Sequence, residues 1–388
     1  GARIWVVHPR RTRLHDVATH VLVRPGGEAG VLAGGADPVV DEALEALRAA
    51  GEGGIVLAGE RTGAADAALA AAGAAGARFA YVTRRAGDRG ALRAGVHPSL
   101  LPGGRALDEA GAVESAWAAS VPREPGRDWR GILEACAARE VDVLYLVGVD
   151  PLTDVPDADL ARRALENVPV KIVQSLELGS LEPYADAFLP AAAFLEKDGH
   201  VSTWEGRGQR IRPVRGAPGL ALPDWELFAS LALACGGDLG FETLDELHRE
   251  MGELLAPLGA VEGADADASP QSVPEGLTLF TYPLLVDEGR LSERSDELKA
   301  ALAEAPFLEV NSADATAIGI ADGAEAILRT SAGEAMLPVR VTDHVAEGAV
   351  FVPFNQAGFT ANRLLAGDFA TDVTVEPAEQ LAEAGAEA

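Results

Sequence analysis

A chain of 388 residues, 48% hydrophobic and 24% charged, can bury a sizeable core and divide into two or three domains, which excludes a disordered or fibrous protein. Thirty-two basic against sixty acidic residues leave a formal net charge of −28. That balance turns the surface as a whole away from nucleic acid and anionic lipid, so an anionic ligand needs a local basic pocket.

The chain begins Gly1-Ala2-Arg3, without methionine, and runs straight into the buried-strand pattern Ile4 to Val7. This predicts a start inside a domain, with an upstream part removed or encoded separately. Short β-branched runs then alternate with Ala- and Leu-rich stretches. Further strands are predicted at Gly54 to Ala58, Arg78 to Thr83, Val143 to Gly148 and Val170 to Gln174, and helices at Asp41 to Ala50, Ala64 to Ala75, Asp128 to Arg139 and Asp157 to Glu166. Repeated strand, turn and helix predicts an α/β fold with doubly wound, mostly parallel sheets, whose ligands sit at the carboxyl ends of strands. Residues 261 to 275 read as a linker. Shorter segments follow, with Gly, Asp and Pro punctuation: Phe307 to Val310, Ala324 to Thr330, Glu334 to Val341 and Ala349 to Pro353. They predict a compact β-barrel over 276 to 377, with an acidic tail over 378 to 388. The α/β region is expected over 1 to 260, with an inserted α/β subdomain over 29 to 140.

The longest apolar stretches, such as Leu227 to Gly237, are too short to span a bilayer, and the N-terminus lacks the uncharged core of a signal peptide. Only Cys136 and Cys235 are present, so the chain by itself cannot supply a four-cysteine zinc site or iron–sulfur cluster. Sparse cysteine fits a reducing cytoplasm. The seven histidines are scattered, with no pair at metal-ligand spacing around a glutamate, and no serine sits in a nucleophile elbow.

Lysine stands only at 171, 197 and 299, and arginine supplies the other basic residues. Arginines cluster at 10, 11 and 13, at 84, 85, 89 and 93, and at 207, 210, 212 and 215. After a strand or a glycine turn, such forks can meet phosphate or carboxylate; ion pairing with the sixty carboxylates is the bland alternative. His8-Pro9-Arg10-Arg11-Thr12 could cradle a ribose or a diphosphate, with Thr12 free to cap a following helix. The turn Gly148-Val149-Asp150-Pro151 places a carboxylate where a phosphate would approach, which opposes binding by roughly 1 to 4 kcal/mol at contact. Composition and spacing name no reaction.

The stretch Tyr184 to Gly199, ending Glu196-Lys197-Asp198-Gly199, followed by Trp204-Glu205-Gly206-Arg207-Gly208-Gln209, resembles the signature of the bacterial molybdopterin oxidoreductase superfamily. Pro9 to Thr12 after a strand and Gly148 to Pro151 after another resemble it too, as do Pro306 to Asn311 and Val352 to Gln356 in a C-terminal dinucleotide-binding barrel. Arg84 to Ala91, Leu100 to Arg105 and Gly126-Arg127-Asp128 are most similar to the G subunits of bacterial respiratory NADH:quinone oxidoreductase, complex I. The resemblance implies a molybdopterin-enzyme fold kept as a non-catalytic scaffold. It also implies iron–sulfur clusters in N-terminal domains outside this chain, other peripheral-arm subunits as partners, no nucleic acid, no direct membrane insertion, and a cytoplasmic place against the inner face of the cell membrane. No catalytic residue, no metal ligand and no cofactor is expected in this chain. If a pterin dinucleotide were retained, its matching contacts would be Arg10, Arg11, Thr12, Gly148, Asp150, Arg207, Gln209 and Asn355. Two departures speak against retention: Asp150 replaces a common asparagine, and Leu181-Glu182-Pro183 stands where a threonine is frequent. The alternative is a catalytic molybdopterin-guanine-dinucleotide oxidoreductase of the formate dehydrogenase or nitrate reductase type.

Overall fold

The structure is a computed structural model, and it describes residues 1–14, 16–59, 64–255, 276–289, 292, 294–365, 367–368 and 370–378. The expected linker, nearly all of the expected tail and four residues of the turn Gly59 to Gly63 lie outside the described residues. By contacts the chain divides into two compact units. The first comprises Gly1–Tyr81, Thr153–Ala158 and Asp265–Ala388, and the second Val82–Leu152 and Asp159–Ala264.

In the first unit, β1 (Trp5–His8) pairs in parallel with β2 (Thr19–Leu22), and β3 (Ile55–Gly59) lies beside β4 (Arg78–Val82). Helix Pro38–Ala50 starts where Asp37 places Oδ1 2.8 Å from the Val39 N–H and 3.1 Å from that of Val40, with proline at the first turn. The cap satisfies donors that helix geometry orphans, so the helix begins three residues before the hydrophobic periodicity alone implies. Its buried Val40 and Leu44 meet Val21 and Val23 from the β2 region.

The second unit holds a three-stranded parallel sheet, β5 (Val143–Val147), β6 (Val170–Ser175) and β7 (Ala187–Pro190), in that order. β7 escapes prediction because its flanks are proline and acidic residues rather than a β-branched run. Helices Trp129–Ala137 and Ala158–Asn167 flank these strands in sequence; the first is capped by Asp128, which accepts from Gly131 N at 2.8 Å. β8 (Gly199–Ser202) and β9 (Gly208–Ile211) form an antiparallel hairpin.

The C-terminal part of the first unit is a closed six-stranded barrel, as the sequence implies. Its strands are β10 (Leu277–Tyr282), β11 (Leu308–Val310), β12 (Glu325–Arg329), β13 (Glu334–Val341), β14 (Ala349–Pro353) and, past the short pair β15 (Asn355–Gln356) and β16 (Phe359–Thr360), β17 (Ala370–Pro377). The order around it is β10, β14, β11, β13, β12, β17. Closure leaves no unpaired edge, and alternation sends Leu308, Val310, Leu328, Val339, Val350 and Val352 inward to form a dry core. Asn311 caps helix Ser312–Ile318 through Ala313 N at 2.9 Å, and Gly319, at φ +81°, ends it in the left-handed conformation that a Cβ disfavours. Gly367 N donates to Pro156 O at 3.0 Å, tying the short Thr153–Ala158 segment to this unit.

Candidate functional site

The predicted contact residues fall in both units. Arg10, Arg11, Thr12 and Asn355 belong to the first, and Gly148, Asp150, Arg207 and Gln209 to the second.

Beyond β1 the chain is pinned to the barrel by backbone bonds: Ala346 N donates to Pro9 O at 2.8 Å, and Arg11 N to His344 O at 2.8 Å. This places Arg10 against β10, β11 and β14. Its Nε and Nη2 donate to Glu309 Oε2 and Oε1 at 2.6 and 2.8 Å, a bidentate fork, and Nη1 donates to the Tyr282 hydroxyl at 2.8 Å. The guanidinium also lies 4.7 Å from the centre of the Phe351 ring. The Glu309 side chain is 8% exposed and that of Arg10 25%. Burial works against the Arg10 cation, but the Glu309 carboxylate and Tyr282 oxygen outweigh it and raise its pKa. Burial also raises the Tyr282 phenol, against the pull of Arg10. His8, whose Nδ1 lies 3.0 Å from the Arg10 N–H, has its pKa lowered by burial, with the Arg10 charge adding to the effect.

Thr12 caps no helix. Its hydroxyl accepts from Leu14 N at 3.3 Å and lies 2.9 Å from His20 Nε2, because residues 13, 14, 16 and 17 form turns instead. The Arg11 side chain is exposed. Asn355 stands on β15 beside an open depression of about 510 Å³, whose wall includes Glu288, Thr360 and Arg363. Its neighbour Gln356 is buried, with neither side-chain heteroatom hydrogen-bonded. The Asn-Gln step belongs to the barrel motif, yet only burial singles out Gln356.

In the second unit, Gly148 takes φ +63° as β5 ends and donates its N–H to Gln174 O at 2.8 Å. Asp150 is buried at 6% exposure. Its Oδ1 accepts from Leu152 N at 3.0 Å, and its Oδ2 accepts the Ser180 hydroxyl proton. Arg207 is exposed and pairs with Glu205, an instance of the ion pairing that the sequence leaves as the alternative to ligand binding. Gln209 lies exposed on β9.

The Glu196-Lys197-Asp198 motif has a role that its spelling does not reveal, since each charge goes to a different element. Glu196 accepts from Ala193 N at 2.9 Å and from Arg215 Nε at 2.8 Å; these two donors, in that order, hold its pKa below the usual carboxylate range. Lys197 pairs with Asp224 at the head of helix Asp224–Ala234. Asp198 takes both arms of Arg210 across the hairpin, at 3.0 and 2.6 Å, and is likewise lowered, by Arg210 first. Fully buried Gln174 joins the network, donating to Asp224 Oδ1 at 2.8 Å and accepting from the Tyr145 hydroxyl. Among the described residues no cluster of three or more His, Cys, Asp or Glu side chains has metal-holding geometry, and no helix is long and apolar enough to cross a membrane.

Comparison with known proteins matches residues 1–234 to the molybdopterin oxidoreductase family and residues 279–382 to the molydopterin dinucleotide binding domain. The chain is 36% identical over 382 residues to the G subunit of NADH-quinone oxidoreductase from Mycobacterium tuberculosis, covering 93% of this chain and 46% of that protein. It is 29% identical over 342 residues to the alpha subunit of F420-dependent formate dehydrogenase 2 from Methanococcus maripaludis, covering 76% and 49%. The chain thus spans about half the length of these relatives. Acetylene hydratase from Pelobacter acetylenicus shares the fold, with a TM-score of 0.55 at 14% identity over 97% of this chain and 74% of that one.

Proposed function

From this chain's membership of the molybdopterin oxidoreductase family, we propose that it is the non-catalytic scaffold region of the G subunit of an NADH:quinone oxidoreductase. It would support electron transfer from NADH to quinone through iron–sulfur clusters carried outside this chain. Its partners would be other peripheral-arm subunits, and its place the cytoplasmic side of the membrane. The observation that carries the proposal is the Arg10 fork, closed on Glu309 and Tyr282. An arginine that binds a diphosphate must offer its planar donors to the ligand. Here two donor arms meet a carboxylate and a third meets a phenol. The second unit follows the same logic: Asp150 is buried with its acceptors filled, and Arg207 answers Glu205. The residues present do not fit an anionic pterin dinucleotide. The higher identity to the NADH-quinone oxidoreductase relative over nearly the whole chain supports the same choice.

The rival is a catalytic molybdopterin-guanine-dinucleotide oxidoreductase, favoured by the similarity to a formate dehydrogenase. Elemental analysis of the purified protein for molybdenum and tungsten, with pterin fluorescence after acid oxidation, separates the two. The scaffold predicts neither metal nor pterin above trace; one of each per chain would overturn it.

A further inference from the structure

Beyond its acidic first turn, helix Asp224–Ala234 has Ser230 as its one polar residue, yet only Leu227 in it is buried. A helix of that composition is ordinarily enclosed. Instead Phe228 is 38% exposed, Leu233 64% and Leu239 45%. Trp225, Phe228 and Leu231 from this helix, Leu239 and Phe241 from the following turn, and Leu247 from helix Leu244–Leu254 line an open groove of about 440 Å³. Trp225 and Phe241 sit 6.3 Å apart in it, ring centre to ring centre. All of this lies within the second unit.

Charge says what would cover it. From Leu220 to Leu247 the chain carries Asp224, Glu226, Asp238, Glu242, Asp245 and Glu246 and no lysine, arginine or histidine. Lys197 answers Asp224, but Glu226, Asp238 and Glu242 flank the groove-lining residues in sequence without an ion-pair partner among the described residues. A second copy would bring the same carboxylates face to face on a chain of net charge −28. We propose that this groove docks an amphipathic helix of another protein, apolar on the inserted face and basic along both flanks. Such a helix would set Leu-sized anchors at i, i+3, i+4 and i+7 against the aromatic floor, with its cations over the acidic rim. The surface does not depend on whether a pterin is present.

The test uses the full chain and two synthetic helices of about 18 residues with the same leucine face, one flanked by lysines and one by glutamates, in about 150 mM salt. Calorimetry should find one lysine-flanked helix bound per chain and no binding of its glutamate twin. Phe228→Asp with Leu239→Asp should weaken binding about tenfold or more, and Val214→Asp, another exposed apolar position, should leave it unchanged. Glu226→Gln with Asp238→Asn and Glu242→Gln alters only exposed or half-buried side chains; it should weaken binding about tenfold and flatten its salt dependence. That triple variant decides the matter if circular dichroism finds the aspartate variant unfolded. Equal affinity in all variants, or equal binding of the glutamate-flanked helix, would overturn the proposal.

Discussion

The barrel and the segment from Pro190 to Leu254 are both rich in apolar residues but reach opposite ends of burial. In the barrel, six strands close on themselves, so each inward residue finds neighbours on all sides, and Leu279, Leu308, Leu328 and Phe351 are fully buried. In the other segment, a two-stranded hairpin and two helices carry the Lys197–Asp224 and Asp198–Arg210 pairs, and helix Asp224–Ala234 keeps only Leu227 buried. Closure encloses the apolar residues of the first; the second leaves much of its apolar surface exposed.

The sharpest way to break this contrast is to truncate one phenylalanine in each region. Phe351→Ala removes a ring packed against Phe280, Tyr282 and Phe307, and should cost about 3 to 5 kcal/mol in denaturant unfolding. Phe228→Ala should cost about 1 kcal/mol or less, since that residue is 38% exposed, meets Tyr145 edge-on and has open groove beside it. Equal costs would mean that the groove is closed in solution.

A smaller effect is expected at the clamp that joins the β1 turn to the barrel. Glu309→Gln leaves the Arg10 cation without its carboxylate and should cost about 3 kcal/mol, at the low end for a buried pair because a quarter of the Arg10 side chain meets solvent. Arg10→Met combined with Glu309→Leu should recover most of that loss, measured as a double-mutant cycle. If Glu309→Gln instead gained tight binding of inorganic pyrophosphate without losing stability, the fork would be a live anion site.

The smallest effect is a difference in pH window between the units. His8 is lowered by burial from the ordinary value of 6.5, so the unfolded chain takes up its proton first. Stability of the first unit should therefore begin to fall as pH drops below about 6.5, and His8→Asn should remove that slope. Glu28, raised by burial from the ordinary value of 4.5, acts in the opposite sense. In the second unit Asp186, Glu196 and Asp198 are all lowered by hydrogen-bonded partners, with Lys171 the first cause for Asp186. Their contribution is present above the ordinary values of 3.8 for the aspartates and 4.5 for Glu196, and is lost as pH falls through their lowered folded values. Hydrogen exchange at stepped pH should show the two windows separately; a single common midpoint would refute the division.

Patterning along the chain places the strands and helices it predicts within one to three residues, because alternation, caps and turn chemistry are local. β13 and β14 match their predicted bounds, as runs of alternating residues between glycine turns should. β2, β7 and β17 are less legible, since short strands with polar or proline-rich flanks owe their state to a neighbour. The motif around Glu196 to Gly199 is recognisable by spelling, while the separate destinations of its three charges are not.

What the linear order of residues settled for this protein is its acidity, its poverty in cysteine, its α/β-then-barrel plan and its family. Only the folded chain decides what each charged side chain faces. Arg10 and Glu309 are 299 positions apart, and a bidentate bond between them follows from strand pairing that no local pattern encodes. The same holds for the helix at Asp224–Ala234: its apolar residues spell a buried element, and only the folded structure shows Leu227 alone of them buried.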